Sequence, residues 1–65
     1  MTTGERIKQR RKELGLSAEY LAKKLKVSAA TVYRYENGGI EKLPVDILEP
    51  LSQALDTTPA YLMGW

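Results

Sequence analysis

Two short segments, eleven residues apart, carry the same punctuation. Leu16-Ser17 and Val27-Ser28 each set an apolar residue before a serine, and Leu21 and Val32 follow at matching distances. A serine N-cap accepts from a free amide of the first helical turn, while an apolar residue before it packs on the fourth helical residue. Two such starts so close together leave room for one short helix and a turn of about three residues. The chain is therefore committed to a tightly joined helix pair.

The flanking segments carry helix signals too. Ile7, Arg11 and Leu14 form one helical stripe, Thr2 and Glu5 have capping-box spacing, and Gly15 suits a helix end. These place helix 1 at about 4–14. Leu21, Ala22 and Leu25 form the buried stripe of helix 2, and Gly38 closes helix 3. Asp46 and Glu49 again have capping-box spacing, ahead of an apolar stripe of Ile47, Leu48, Leu51 and Leu55. Pro50 interrupts this fourth helix. With Asp46 as the cap it forfeits one hydrogen bond; with a start at Pro44, a kink near 46–50 is expected. Thr58-Pro59 reads as a cap and a first-turn proline, opening a last helix over 59–63 that ends at Gly64. The expectation is an all-α fold of five short helices, with 1–65 as one domain.

Composition narrows the chemistry. With 65 residues, the domain buries only about 60% of the surface its unfolded chain exposes. It has no cysteine and no histidine, so a disulfide, the commonest metal ligands and the usual general base are all missing. No nucleophile–base pair or phosphate-cradling glycine loop stands out. The expectation is a non-enzymatic protein with no cofactor and no metal. No apolar run reaches the ~20 residues of a membrane span, and the N-terminus has no apolar signal core. A cytoplasmic location is the default. Charge is uneven: residues 1–35 hold nine basic and three acidic side chains, a net +6, whereas residues 36–65 carry a net −4. A basic half suggests a nucleic-acid face, although solvated helix surface accounts for it equally well.

With this spacing, RRKELGLSAEYLAKKLKVSAATVYRYENG and LSQALDTTPAYLMGW resemble the Cro/repressor-type (Xre-like) helix-turn-helix family of phage and bacterial transcription regulators. The resemblance covers nearly the whole chain. It implies a compact, lambda-repressor-like five-helix domain that binds double-stranded DNA, usually as a dimer, with helix 3 (about 28–37) in the major groove. It implies no small-molecule ligand within the domain. Three places depart from the family pattern. Lys26 stands where the turn usually has glycine, Ala18 where helix 2 usually opens on glutamine, and Ala29 and Ala30 where glutamines often lead helix 3.

Val32, Tyr35 and Glu36 are expected to face inward. Ala30, Tyr33, Arg34 and Asn37 then face outward, with Ala29 at the leading edge. Arg34 is the strongest base reader, through a bidentate pair to guanine, with a phosphate contact as its alternative. Tyr33 is read as a base or phosphate contact, or as a prop for Arg34. Ala29 and Ala30 can offer methyls to thymine, and helix propensity explains them equally. Phosphate contacts are expected from Ser17 and Ala18 at the start of helix 2, from Ser28, Thr31 and Asn37, and from Lys42. By family position, Arg11 and Glu36 form a largely buried ion pair. Leu62 is expected in the core. Family analogy makes Tyr61, Met63 and Trp65 a dimer contact, or else the junction to a following domain, with this chain as the N-terminal part of a longer repressor. The competing reading is a protein-interaction module on the same fold, such as an antitoxin-like partner.

Overall fold

The computed structural model describes residues 1–38 and 43–65. Five α-helices follow in order: α1 Thr3–Glu13, α2 Ala18–Leu25, α3 Ala29–Gly38, α4 Leu48–Ala54 and α5 Pro59–Met63. A short 3₁₀ helix, Val45–Ile47, leads into α4. Among the described residues there is no strand, and no helix is long and apolar enough to cross a membrane.

The helix starts follow the capping signals. The Thr2 hydroxyl accepts from the Glu5 amide, and the Glu5 carboxylate accepts from the Thr2 amide at 2.7 Å, completing the capping box. Hydrogen bonding from Thr2, its backbone amide foremost, holds the Glu5 carboxyl below its ordinary value. Ser17 caps α2 through the Tyr20 amide, Ser28 caps α3 through the Thr31 amide, and Thr58 caps α5 through the Tyr61 amide, with Pro59 in its first turn.

Four helix ends share one device. Gly15, Lys26, Asp56 and Gly64 all have positive φ. At each, two successive amides turn back onto the final carbonyls of the helix: Gly15 and Leu16 to Lys12 and Arg11, Lys26 and Val27 to Lys23 and Ala22, Asp56 and Thr57 to Gln53 and Ser52, Gly64 and Trp65 to Tyr61 and Ala60. This is the Schellman arrangement. Lys26 accepts the left-handed geometry, with φ 60° and ψ 41°, in the place where the family pattern has glycine.

Two expectations change. Asp46 does not cap α4: it lies inside the 3₁₀ turn, whose start is set by the extended backbone of Pro44, and α4 has no side-chain cap. Pro50 falls in the first turn of α4, where a missing amide proton costs little. Leu14 ends α1 on the exposed side rather than joining the buried stripe.

Every helix contributes to one core. Ile7 comes from α1, Ala18, Leu21, Ala22 and Leu25 from α2, Val32 and Tyr35 from α3, Leu51 and Leu55 from α4 and its end, and Leu62 from α5. α3 packs chiefly on α1 and α2. The approach of α1 to α3 depends on Gly4. A methyl built there would strike the Glu36 carbonyl oxygen and lie 2.7 Å from its carbon and 2.8 Å from the Tyr35 carbonyl oxygen.

Gly4→Ala should therefore destabilise by about 1–3 kcal/mol, although helix propensity alone favours alanine by about 1 kcal/mol. Urea denaturation reads the sign directly. Lys26→Gly should stabilise by up to about 1 kcal/mol by relieving the left-handed strain. A drop in its melting temperature would contradict that account.

Candidate nucleic-acid interface

α3 is divided along its length. On one side Val32 is fully buried, with Tyr35 and Glu36 beside it. On the other, Ala30, Tyr33, Arg34 and Asn37 are exposed, and Gly38 is half-buried. The 3.6-residue period produces this division from the order of residues alone. Tyr33, Arg34, Asn37 and Gly38 line a shallow hollow on the exposed side.

The buried side is held by charge. Arg11 Nε lies 2.6 Å from Glu36 Oε2 and Arg11 Nη2 3.2 Å from Glu36 Oε1, a bidentate pair between α1 and α3. Arg11 Nη1 donates to the Leu16 carbonyl at 3.0 Å, so the same guanidinium grips the connection to α2. The hydrogen bonds it donates to Glu36 hold the Arg11 guanidinium above its ordinary value, outweighing the opposing effect of burial.

The remaining sites differ in how the fold treats them. Ser17, at the start of α2, is exposed, but Ala18 is 1% exposed and belongs to the core. The Ala18 side chain is thus withdrawn from the surface, and Ser17 is the exposed residue at the start of α2. Ala29 is half-buried against the core, so Ala30 is the alanine with an open methyl. Ser28 is exposed and Thr31 half-buried, and their hydroxyls lie 2.9 Å apart. Arg34 Nη2 donates to Thr31 Oγ1 at 3.0 Å. Lys42 lies outside the described residues. In α5, Leu62 is fully buried, Met63 is half-buried, and Tyr61 and Trp65 are exposed.

Sequence reasoning missed two structural arginines. Arg10 donates from Nε to the Leu55 carbonyl at 2.9 Å and from Nη2 to the Asp56 carbonyl at 3.0 Å, and it also pairs with Glu13. Arg6 donates to the Met1 carbonyl, and its guanidinium lies against Gly64. No local pattern announces the contacts with Leu55, Asp56 and Gly64, because those partners, just past the ends of α4 and α5, are more than forty residues distant. Gly4 did carry a signal, as a glycine inside a helical stretch.

Taken together, the joined α2–α3 pair, the anchored inner side of α3 and its open outer side define a helix-turn-helix domain. The chain belongs to the helix-turn-helix family, which it matches over residues 7–62. It is 36% identical over 63 residues to the HTH-type transcriptional regulator DicA of Escherichia coli K12, covering 97% of this chain and 46% of DicA. The chain spans less than half the length of the curated relatives it matches. Among solved structures, it is similar to the P22 c2 repressor in complex with a synthetic operator, with TM-score 0.87 and 33% identity over 97% of this chain and 94% of the repressor chain. It is also similar to part of the hydroxypropylphosphonic acid epoxidase from S. wedmorenis, with TM-score 0.85 and 28% identity over 94% of this chain but 32% of the epoxidase.

Removing one member of the buried pair leaves the other charge uncompensated. Arg11→Met and Glu36→Leu should each cost about 3–5 kcal/mol. The double variant should recover most of that loss and retain a deficit of about 1 kcal/mol for the orphaned Leu16 carbonyl. A double-mutant cycle in urea checks this; additive losses would show that the two side chains act independently.

Proposed function

We propose that this chain binds double-stranded DNA sequence-specifically as a transcriptional regulator, with α3 lying in the major groove. The observation that carries this reading is the end-to-end likeness to the P22 c2 repressor, whose structure holds its operator. A fold shared with part of an epoxidase selects no activity by itself. The reading therefore also leans on the exposed side of α3, where Ala30, Tyr33, Arg34 and Asn37 converge without contributing to the core.

In this reading Arg34 reads a base edge, with Tyr33 and the Ala30 methyl beside it. Ser17, Ser28, Asn37 and Lys42 contact the sugar–phosphate backbone and orient the domain without reading sequence. Two copies occupy the DNA, meeting through Tyr61, Met63 and Trp65 around α5. The protein works in the cytoplasm, at the nucleoid.

Duplexes selected from a random pool supply the target for a test. Affinity for the selected duplex should fall by orders of magnitude between ~50 and ~200 mM salt, as expected when several phosphates are neutralised. Arg34→Ala should cost about 1–3 kcal/mol and relax preference at one base pair. Lys42→Ala should instead weaken all duplexes alike and lower the salt slope by about one. A flat salt response with no duplex preference would refute DNA binding and favour a protein-interaction module.

A further inference from the structure

The long side chain of Arg34 is tethered. Its Nη2 donates to Thr31 Oγ1 at 3.0 Å, and Thr31 Oγ1 lies 2.9 Å from Ser28 Oγ. Ser28 Oγ is itself fixed, because it accepts from the Thr31 amide at 3.2 Å as the helix cap. Arginine can only donate, so Thr31 must be the acceptor at that contact. Helical side chains lean toward the N-terminus over the residues three and four positions earlier. For Arg34 those residues are Thr31 and Ala30. One supplies a hydroxyl, and the other has nothing beyond its Cβ to fill the space.

We propose that Thr31 is a specificity-determining residue that acts by positioning Arg34, rather than by touching the DNA backbone. This rests on the DNA-reading function proposed above. Bidentate recognition of a base needs the planar guanidinium in one orientation. An untethered arginine loses rotamer freedom each time it engages, whereas one already anchored at Thr31 loses less. Only one of the five guanidinium N–H groups is spent on Thr31, so a full donor edge remains for a base. The cap of α3 and the orientation of its reading residue are thus one connected set of bonds: the Thr31 amide donates to Ser28 Oγ, the Ser28 and Thr31 hydroxyls pair, and Arg34 donates to the Thr31 hydroxyl.

The test uses the whole chain as wild type, Thr31→Val, Thr31→Ser, Arg34→Ala and Thr31→Val/Arg34→Ala. Each is titrated against the selected duplex and its single-base-pair variants. Thr31→Val keeps the shape of the residue and removes the hydroxyl. It should reduce discrimination about two- to tenfold, the cost of ordering one long side chain, and only at the base pair where Arg34→Ala loses discrimination. Its salt slope should match that of wild type. Thr31→Ser should restore the preference, and the double variant should discriminate no worse than Arg34→Ala. A uniform loss on all duplexes, with no base pair singled out, would make Thr31 a phosphate contact and overturn the proposal. Unchanged discrimination in Thr31→Val would overturn it as well. A wild-type chain that prefers no duplex would overturn the DNA-reading function itself, and the role of Thr31 with it.

Discussion

Arg11 joins α1, α3 and the approach to α2 through a single side chain. Two of its nitrogens go to the Glu36 carboxylate on α3, and a third goes to the Leu16 carbonyl just before α2. Both charged side chains are nearly withdrawn from water, with 10% and 1% exposure. A buried ion pair contributes little net stability against a well-packed apolar substitute, but its geometry tolerates few alternatives. Its value in this domain is positional: α1 is fixed to both members of the helix-turn-helix pair at once. Gly4 works on the same α1–α3 contact, two helical turns earlier on α1. With no Cβ, it lets α1 approach the backbone of α3 closely enough for the Arg11 fork to reach Glu36.

α1 is for the same reason the hub of the domain rather than an outlying cover. Its Ile7 enters the core, Arg10 holds the carbonyls at the end of α4, and Arg6 lies against the end of α5. Cations at helix C-termini oppose the negative end of the helix dipole, so these contacts combine hydrogen bonding with favourable electrostatics. This alters what the basic half of the sequence means. Three of its nine positive charges are occupied inside the fold. The exposed positive charge of that half comes from Lys8, Lys12, Lys23, Lys24, Lys26 and Arg34, with Lys24 resting 5.4 Å from the centre of the Tyr20 ring.

What was legible in the sequence follows from how far each interaction reaches. The caps at Thr2, Ser17, Ser28 and Thr58 and the turns at Gly15 and Gly64 involve residues within five positions of one another. Local spacing therefore reveals them, and with them the five helices and the two sides of α3. Arg6 and Arg10 act on partners brought near only by the completed fold, and those contacts are invisible in a linear reading; Gly4 stands out as a glycine within a helix, but the α3 backbone it faces does not. Ala18 matched a family position used for contact, yet its side chain is taken up by the core. Asp46 had the spacing of a cap, but Pro44 had already set the backbone for a 3₁₀ start. At the interface, residue types and outward direction could be read from periodicity. The conformation of Arg34 could not, because it depends on which hydroxyl its guanidinium meets.

The division of α3 into an anchored side and an open side bears on how such a domain can change over time. Val32, Tyr35 and Glu36 are committed to neighbours on other helices, and replacing any of them disturbs the fold. Ala30, Tyr33 and Asn37 make no core contact, and surface substitutions of that kind usually alter stability by no more than about 0.5 kcal/mol. A lineage can therefore exchange the chemistry presented on the outer side while inheriting the scaffold intact. Arg34 is the exception, since a new residue there would abandon Thr31 and leave its hydroxyl to find another partner. Drift in recognition should accordingly begin at positions 30, 33 and 37, with 31 and 34 changing together.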